Sequence, residues 1–237
     1  MLKVLNINPS KRVFFVGDIH GCIKTLNKGL ELINFKEGED ILIATGDLGD
    51  RGPSSLEVYE KFIDDGLTDS YYSVLGNHDN FIIEDLWYSD HIRQGGSWYC
   101  FGIQKADKLK VKDYISTLPI CIQCNIGDKK LAITHAEIPV DVTSFDDYKS
   151  KHLDKGIYNP SIWNRYAIRD DDIHKVDGID WSIHGHSFTE EPVFMKNRLY
   201  IDTGCVFSRE DEPLYLTFAE YKYETDTFEF TKVLKCG

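Results

Sequence analysis

Val13–Gly21 (VFFVGDIHG), Ile41–Gly52 (ILIATGDLGDRG) and Tyr71–Asp79 (YYSVLGNHD) repeat one arrangement three times. An apolar run rich in β-branched and aromatic residues stops at a glycine, and Asp, His or Asn follows at once. Runs of this length and composition read as buried strands. The polar residues therefore fall just past strand carboxyl ends, where open α/β sheets place their ligands. Two shorter instances lie downstream: Thr134–His135–Ala136 after LAI, and His184–Gly185–His186 after WSI. Carboxylate, imidazole and amide oxygen are hard-to-borderline ligands, suited to Mn, Fe or Zn rather than to a thiolate site. Together they point to a binuclear metal hydrolase.

Outward from these motifs, the pattern predicts strands at 12–17, 40–45 and 71–75 and helices at 22–34, 54–65 and 79–88. This alternation implies parallel strands joined by right-handed crossovers. Ile23, Leu26, Leu30 and Ile33 recur at helical spacing and read as core. A helix near 107–117 ends before Pro119. Beyond residue 120 short strands dominate, at 120–126, 130–135, 180–184, 198–202, 214–221 and 227–234, with turns at Gly127–Asp128 and Thr225–Asp226. Both halves supply ligand-type residues, so residues 1–237 are expected to pack as a single domain. The Asp- and Lys-rich stretch 141–178 is the least patterned and is expected to cap the site.

The length of 237 residues suits one large domain, and the net charge of −12 argues against a partner bound by phosphate neutralisation, such as a nucleic acid. It leaves phosphate chemistry open, because bound cations reverse the local sign. The first residues lack the apolar core of a signal peptide, and no window approaches a membrane span. A cytoplasmic protein with no membrane partner is expected, its six cysteines reduced. Cys121 and Cys124 form a lone CxxC inside a strand-like run, a weak signal without a second pair.

Hydrolysis of a phosphoester needs a nucleophile made from water, charge to hold the phosphoryl oxygens and a proton for the leaving group. Asp18 and His20 share one tight turn and suit a first metal; Asp47 suits a bridge; Asn77, His135 and His186 suit a second. Asp50 and Arg51 follow on the Asp47 loop. The planar fork of Arg51 suits a phosphate clamp. His78, next to Asn77, is placed to act as general acid with Asp50 behind it.

These motifs resemble those of the calcineurin-like metallophosphoesterases, and more narrowly the phosphoprotein phosphatases with GDxHG, GDxxDRG and GNH[ED]; the compact size is similar to the bacteriophage lambda-type and bacterial Ser/Thr enzymes. Gln94–Trp98 (QGGSW), Ile162–Arg165 (IWNR) and Ile201–Gly204 (IDTG) add looser matches. The resemblance implies a β-sandwich flanked by helices, within the α/β class. It also implies two divalent metals, with Mn first among Mn, Fe and Zn, and direct attack by a metal-bridging hydroxide. It supports Asp18, His20 and Asp47 for one metal and Asp47, Asn77, His135 and His186 for the other. His78 is then the acid, Arg51 the phosphate ligand and Arg165 a second phosphate-binding arginine. His184 falls where that family has an apolar residue and is expected to be a strand residue. The implied partner is a phosphoserine, phosphothreonine or phosphotyrosine protein or peptide. Leu75 stands where an arginine is common, and VLGNHD with GDIHGC and DTGC also resembles symmetrical dinucleoside tetraphosphate hydrolases, the main alternative. A catalytically silent binding module would lack a ligand or the acid, and none is missing. Tyr148, Tyr158, Trp163 and Tyr166 suit either core packing or stacking on a nucleobase.

Overall fold

A computed structural model describes residues 1–64, 68–84, 88–151 and 154–236. In chain order the strands and helices are β1 (Leu2–Ile7), β2 (Val13–Val16), α1 (Ile23–Leu32), β3 (Ile41–Ala44), α2 (Ser55–Asp64), β4 (Tyr71–Ser73), α3 (Asn77–Ile83), α4 (Tyr88–Arg93), α5 (Lys105–Ile115), β5 (Cys121–Ile126), β6 (Lys129–Thr134), α6 (Phe145–Lys151), α7 (Lys155–Trp163), β7 (Trp181–His184), β8 (Val193–Met195), β9 (Arg198–Tyr200), β10 (Tyr215–Lys222) and β11 (Thr227–Leu234).

Two sheets result, one in the order β11-β10-β2-β3-β4 and the other β1-β5-β6-β7-β9-β8. The expected β-α-β-α-β unit is present: β2, β3 and β4 are parallel neighbours. The C-terminal hairpin β10–β11 extends this first sheet, while β1 crosses to pair in parallel with β5 at the edge of the second. Each end of the chain thus completes the sheet built mainly by the other half.

Alternation along the strands explains the layers. Val13, Phe15, Ile41 and Ile43 share an inner cluster with Ile122, Leu131, Ile133, Ile183 and Leu199 of the other sheet. Their neighbours Phe14, Val16, Leu42 and Ala44 turn the opposite way and pack with Leu26 and Leu30 of α1 and Val58, Tyr59 and Phe62 of α2. β2 and β3, buried on both faces, carry no polar residue, which is why they read as unbroken apolar runs. The same alternation disposes of the CxxC: three positions apart on β5, Cys121 belongs to the outer cluster and Cys124 to the inner one. Burial pushes both thiols up, and neither is disulfide-bonded.

Some expectations need correction. The helix expected at 79–88 starts at Asn77 and ends at Ile83; residues 85–87 of that span lie outside the described residues, as does residue 65 at the end of the expected 54–65 helix. β1 was not anticipated because an edge strand that is half exposed shows no continuous apolar run. The stretch 141–178 carries α6 and α7, whose helical pattern is obscured by charged residues and by Pro160 within α7.

Candidate metal centre and active site

The loops that follow β2, β3, β4, β6, β7 and β9 meet at one end of the sandwich. β2, β3 and β4 run parallel in one sheet, and β6, β7 and β9 run parallel in the other. Their carboxyl ends supply Asp18 and His20, Asp47 to Arg51, Asn77 and His78, His135, His186, and Asp202. Close approach dictates the glycines. A Cβ on Gly76 would lie 2.1 Å from Asp47 Oδ1, and one on Gly185 would lie 2.1 Å from Asp18 Oδ1. His20, Asp47, Asp50, Arg51 and His186 all have positive φ, an uncommon backbone state for non-glycine residues that clusters at functional sites.

Asp47 sits between two imidazoles. Its Oδ2 is 3.5 Å from His20 Nε2 and 3.4 Å from His135 Nε2, while Oδ1 accepts the His78 N–H at 2.9 Å. Each histidine is oriented by its other nitrogen. His20 Nδ1–H donates to the Gly49 carbonyl at 2.8 Å, and His135 Nδ1–H to the Thr45 carbonyl at 2.7 Å. His186 Nε2–H donates to the Trp163 carbonyl at 2.9 Å. A tether of this kind fixes the tautomer and directs the remaining nitrogen inward, as metal-binding histidines require. Asn77 Oδ1 lies 2.9 Å from His135 Nε2.

Ligand-type atoms gather as two triads within 4.8 Å: His20, Asp47 and His78, and Asp47, His135 and His186. Asp47 is common to both. Asp18 belongs to neither triad but lines the same cavity. It accepts hydrogen bonds from the Thr45 hydroxyl at 3.0 Å and from the His186 N–H.

Burial sets the electrostatics. It would raise Asp47, but His135 and the other imidazoles outweigh it and hold that carboxyl well below the usual range. Burial, then the neighbouring Asp202 and Asp47 carboxylates, push Asp18 well above it. Burial lowers His20 to about 3. Burial also opposes charge on His135, but Asp47 and Asp18 win and push it up to about 10. Crowded carboxylates sharing one imidazolium are a donor set short of positive charge. Divalent cations relieve that shortage by displacing the shared protons, so the residues present fit a pair of hard-to-borderline ions.

Asp50 has different company. His78 Nδ1–H donates to its Oδ2 at 2.8 Å, while His91 Nε2–H (3.0 Å) and Trp98 Nε1–H (2.7 Å) donate to Oδ1. Burial would raise this carboxyl; the hydrogen bonds from His78 and His91 hold it below the ordinary value. His91 and Trp98 were missed by sequence reasoning. Only the QGGSW element gave a signal for Trp98, and nothing marked His91. Asp79 was missed too: its carboxylate receives the backbone N–H groups of Asp47, Leu48 and Gly76 and the Tyr59 hydroxyl, tying two loops together.

Above these groups is a cavity of about 160 Å³ lined by Asp18, Asp47, Arg51, Asn77, His78, Gln94, Trp163, Arg165 and His186. Arg51 lies across the Phe207 ring, and Arg165 donates to the His186 carbonyl at 3.0 Å. Leu75 is buried in the hydrophobic core and sends no charge into the cavity. The ring nitrogens of His184 are both taken by hydroxyls, of Thr134 and Ser182, inside the sheet. Of the four aromatics considered for stacking, Tyr148 is fully buried and Tyr158 is bonded to Asn80, whereas Trp163 borders the cavity and Tyr166 is exposed.

The calcineurin-like phosphoesterase profile matches residues 11–191. The chain belongs to that family. It is accordingly a metallophosphoesterase, a hydrolase of the phosphatase kind. Members of this family use a binuclear divalent metal centre, and this phosphoesterase carries candidate ligand groups for one. It is 30% identical over 223 residues to serine/threonine-protein phosphatase 2 of Salmonella typhimurium (strain LT2), a match spanning 88% of this chain and 95% of that protein. A symmetrical bis(5′-nucleosyl)-tetraphosphatase of Shewanella sp. (strain W3-18-1) is 35% identical over 127 residues, 53% of this chain and 44% of that one. In three dimensions this phosphoesterase resembles a protein serine/threonine phosphatase from Saccharomyces cerevisiae with a TM-score of 0.73, covering 99% of this chain and 84% of that one. Their identity is 12%, so that likeness is one of fold. No helix among the described residues is long and apolar enough to cross a membrane.

Proposed function

We propose that this phosphoesterase is a protein phosphatase that hydrolyses phosphoserine and phosphothreonine, and phosphotyrosine where the substrate presents it. The observation that carries the reading is the small polar cavity of about 160 Å³ in which Arg51, Arg165 and His78 surround the Asp47 cluster. It accommodates a phosphoryl group and leaves the esterified side chain outside. Near-complete coverage of a bacterial protein phosphatase, against less than half of a tetraphosphatase, favours a protein substrate.

In this reading Asp18, His20 and Asp47 hold one Mn ion, and Asp47, Asn77, His135 and His186 hold the other. Two such ions supply a water acidic enough to attack at neutral pH and charge that offsets the phosphoryl oxygens. The guanidinium groups of Arg51 and Arg165 orient those oxygens. Asp50 keeps His78 turned with Nδ1–H toward its carboxylate. The opposite nitrogen, Nε2, then carries the proton that goes to the departing alkoxide. Residues 1–237 act as one domain, since β10–β11 and β1 each complete a sheet begun elsewhere in the chain. A reducing cytoplasmic compartment suits the six unpaired cysteines.

A second reading, hydrolysis of dinucleoside tetraphosphates, is favoured by Leu75, which takes no part in phosphate binding, and by the 127-residue match. Turnover of a phosphothreonine peptide beside diadenosine tetraphosphate by the Mn-loaded protein separates the two. The expected kcat/KM is at least about tenfold higher for the peptide, about 1.4 kcal/mol of transition-state preference. The reverse ratio gives the site to the nucleotide.

A further inference from the structure

Beside the catalytic cavity lies a second one of about 500 Å³, lined by Arg165, Ile168, Arg169, Ser187, Phe188 and Thr189. Arg165 belongs to both, so one guanidinium group borders the phosphate position and the neighbouring space. Neither Arg165 nor Arg169 has an ion-pair partner among the described residues, in a chain whose net charge is −12. Ser187 is buried, and its hydroxyl has no hydrogen-bond partner in the protein. Phe188, in contrast, is 52% exposed. The loop bearing the two arginines is held from behind, where the Ala167 N–H donates to Glu137 Oε2 at 2.8 Å.

We propose that this second cavity is a specificity subsite that receives the carboxylate of an acidic residue, Glu above Asp, flanking the phosphoresidue of a peptide substrate. The inference rests on the protein-phosphatase reading and deepens it. Two guanidinium groups without ion-pair partners among the described residues are complementary to a carboxylate. Ile168 and Phe188 offer an apolar wall for the methylene stem of Glu, which is longer than that of Asp. An extended peptide advances about 3.3 Å per residue, so a near neighbour of the phosphoresidue reaches a space that shares a wall with the phosphate site. The phosphate contacts made by Arg51 and Arg165 are common to every phosphomonoester. Arg169 borders only the second cavity, so it distinguishes substrates by what flanks the phosphate.

The test uses the full-length, Mn-loaded protein and phosphothreonine peptides that differ only in Glu, Ala or Lys at the positions on either side. In at least one position Glu should exceed Ala about fivefold in kcat/KM, as a partly solvated ion pair allows, and the ratio should shrink as salt rises. Arg169→Ala should bring that ratio to about one while p-nitrophenyl phosphate, which has no flanking residue, is hydrolysed at the wild-type rate; this substrate also reports that the variant is folded. Arg169→Lys should restore part of the selectivity.

Equal kcat/KM for Glu and Ala peptides at every position overturns the subsite and leaves the protein-phosphatase reading standing. An equal loss on all substrates in Arg169→Ala overturns it as well. If no phosphopeptide is turned over while p-nitrophenyl phosphate is, the broader reading fails and the subsite with it. A loss confined to diadenosine tetraphosphate assigns the cavity to a nucleotide leaving group instead.

Discussion

Asp47 and Asp50 lie three residues apart on one loop, both fully buried, yet their surroundings are opposite. Around Asp47 the nearest side-chain nitrogens belong to imidazoles whose other ring atom is tied to a backbone carbonyl. The nitrogens that face Asp47 carry no backbone tie; Arg51 donates to His20 Nε2 and Asn77 Oδ1 lies against His135 Nε2, contacts that a bound cation would replace. Around Asp50 the hydrogen bonds run the other way: His78, His91 and Trp98 all donate N–H to it, saturating the carboxylate. One carboxylate is open to a metal and the other is closed to it. The identity of the residue does not decide its task; the direction of the hydrogen bonds around it does. The largest way to break this contrast is Asp47→Asn, which removes the charge shared by the two triads. Turnover should fall by at least about a thousandfold, several kcal/mol of lost transition-state stabilisation. Bound metal, measured by elemental analysis, should fall in parallel. Retention of both ions with full activity would refute the bridging assignment.

His78 stands at the boundary between the two regions. It is grouped with His20 and Asp47 by distance, but its Nδ1–H is committed to Asp50. If it serves as general acid, His78→Asn should slow substrates with poor leaving groups by about a hundredfold or more. A nitrophenyl ester, whose leaving group departs without help, should lose far less, and metal content should stay unchanged. Were His78 a metal ligand instead, both substrates would slow together and metal would be lost.

The same contrast explains what the sequence made legible. The Asp47 side draws on residues at strand ends, most of them next to a glycine, and those were nameable from sequence: Asp18, Asp47, Asn77 and His186 line the cavity, and His20 and His135 lie beside Asp47. The parallel β2-β3-β4 core was also legible, because strands buried on two faces leave uninterrupted apolar runs. The Asp50 side was only half visible. His91 comes from the short helix α4, and its ring stacks on Phe81. A histidine in such a setting carries no local pattern that separates it from any surface histidine. Asp79 was hidden within a recognised motif, since its work is to bind three backbone N–H groups that only the folded loops bring together. α6 and α7 were missed for a different reason: their polar faces and Pro160 erase the helical period, and it is their packing, with Tyr148 and Phe145 stacked in the core, that sustains them.

The smallest expected effect sharpens the comparison most. Trp98 stacks on Tyr59, at 22° between planes, while its indole N–H holds Asp50. Trp98→Phe keeps an aromatic surface in place and deletes one donor of three, at a cost of about 1–3 kcal/mol if that Asp50 oxygen is left underbonded. Hydrogen bonds to the ionised form lower a carboxyl's pKa, so losing one raises the Asp50 value toward ordinary. A carboxyl held low in the folded state stabilises the protein above its unfolded pKa, and that contribution disappears as pH falls through the folded value. The variant should therefore be less stable near neutral pH, and its acid-dependent loss, which starts near the unfolded pKa in both proteins, should be smaller and complete at a higher pH than in wild type; the acid limb of its pH–rate profile should move up in pH. Near neutral pH, kcat should drop about tenfold or less, because His78 and His91 still donate to Asp50. Equal acid sensitivity in thermal unfolding and in kcat would mean that Trp98 only fills space, and that Asp50 is kept ionised by the two histidines alone.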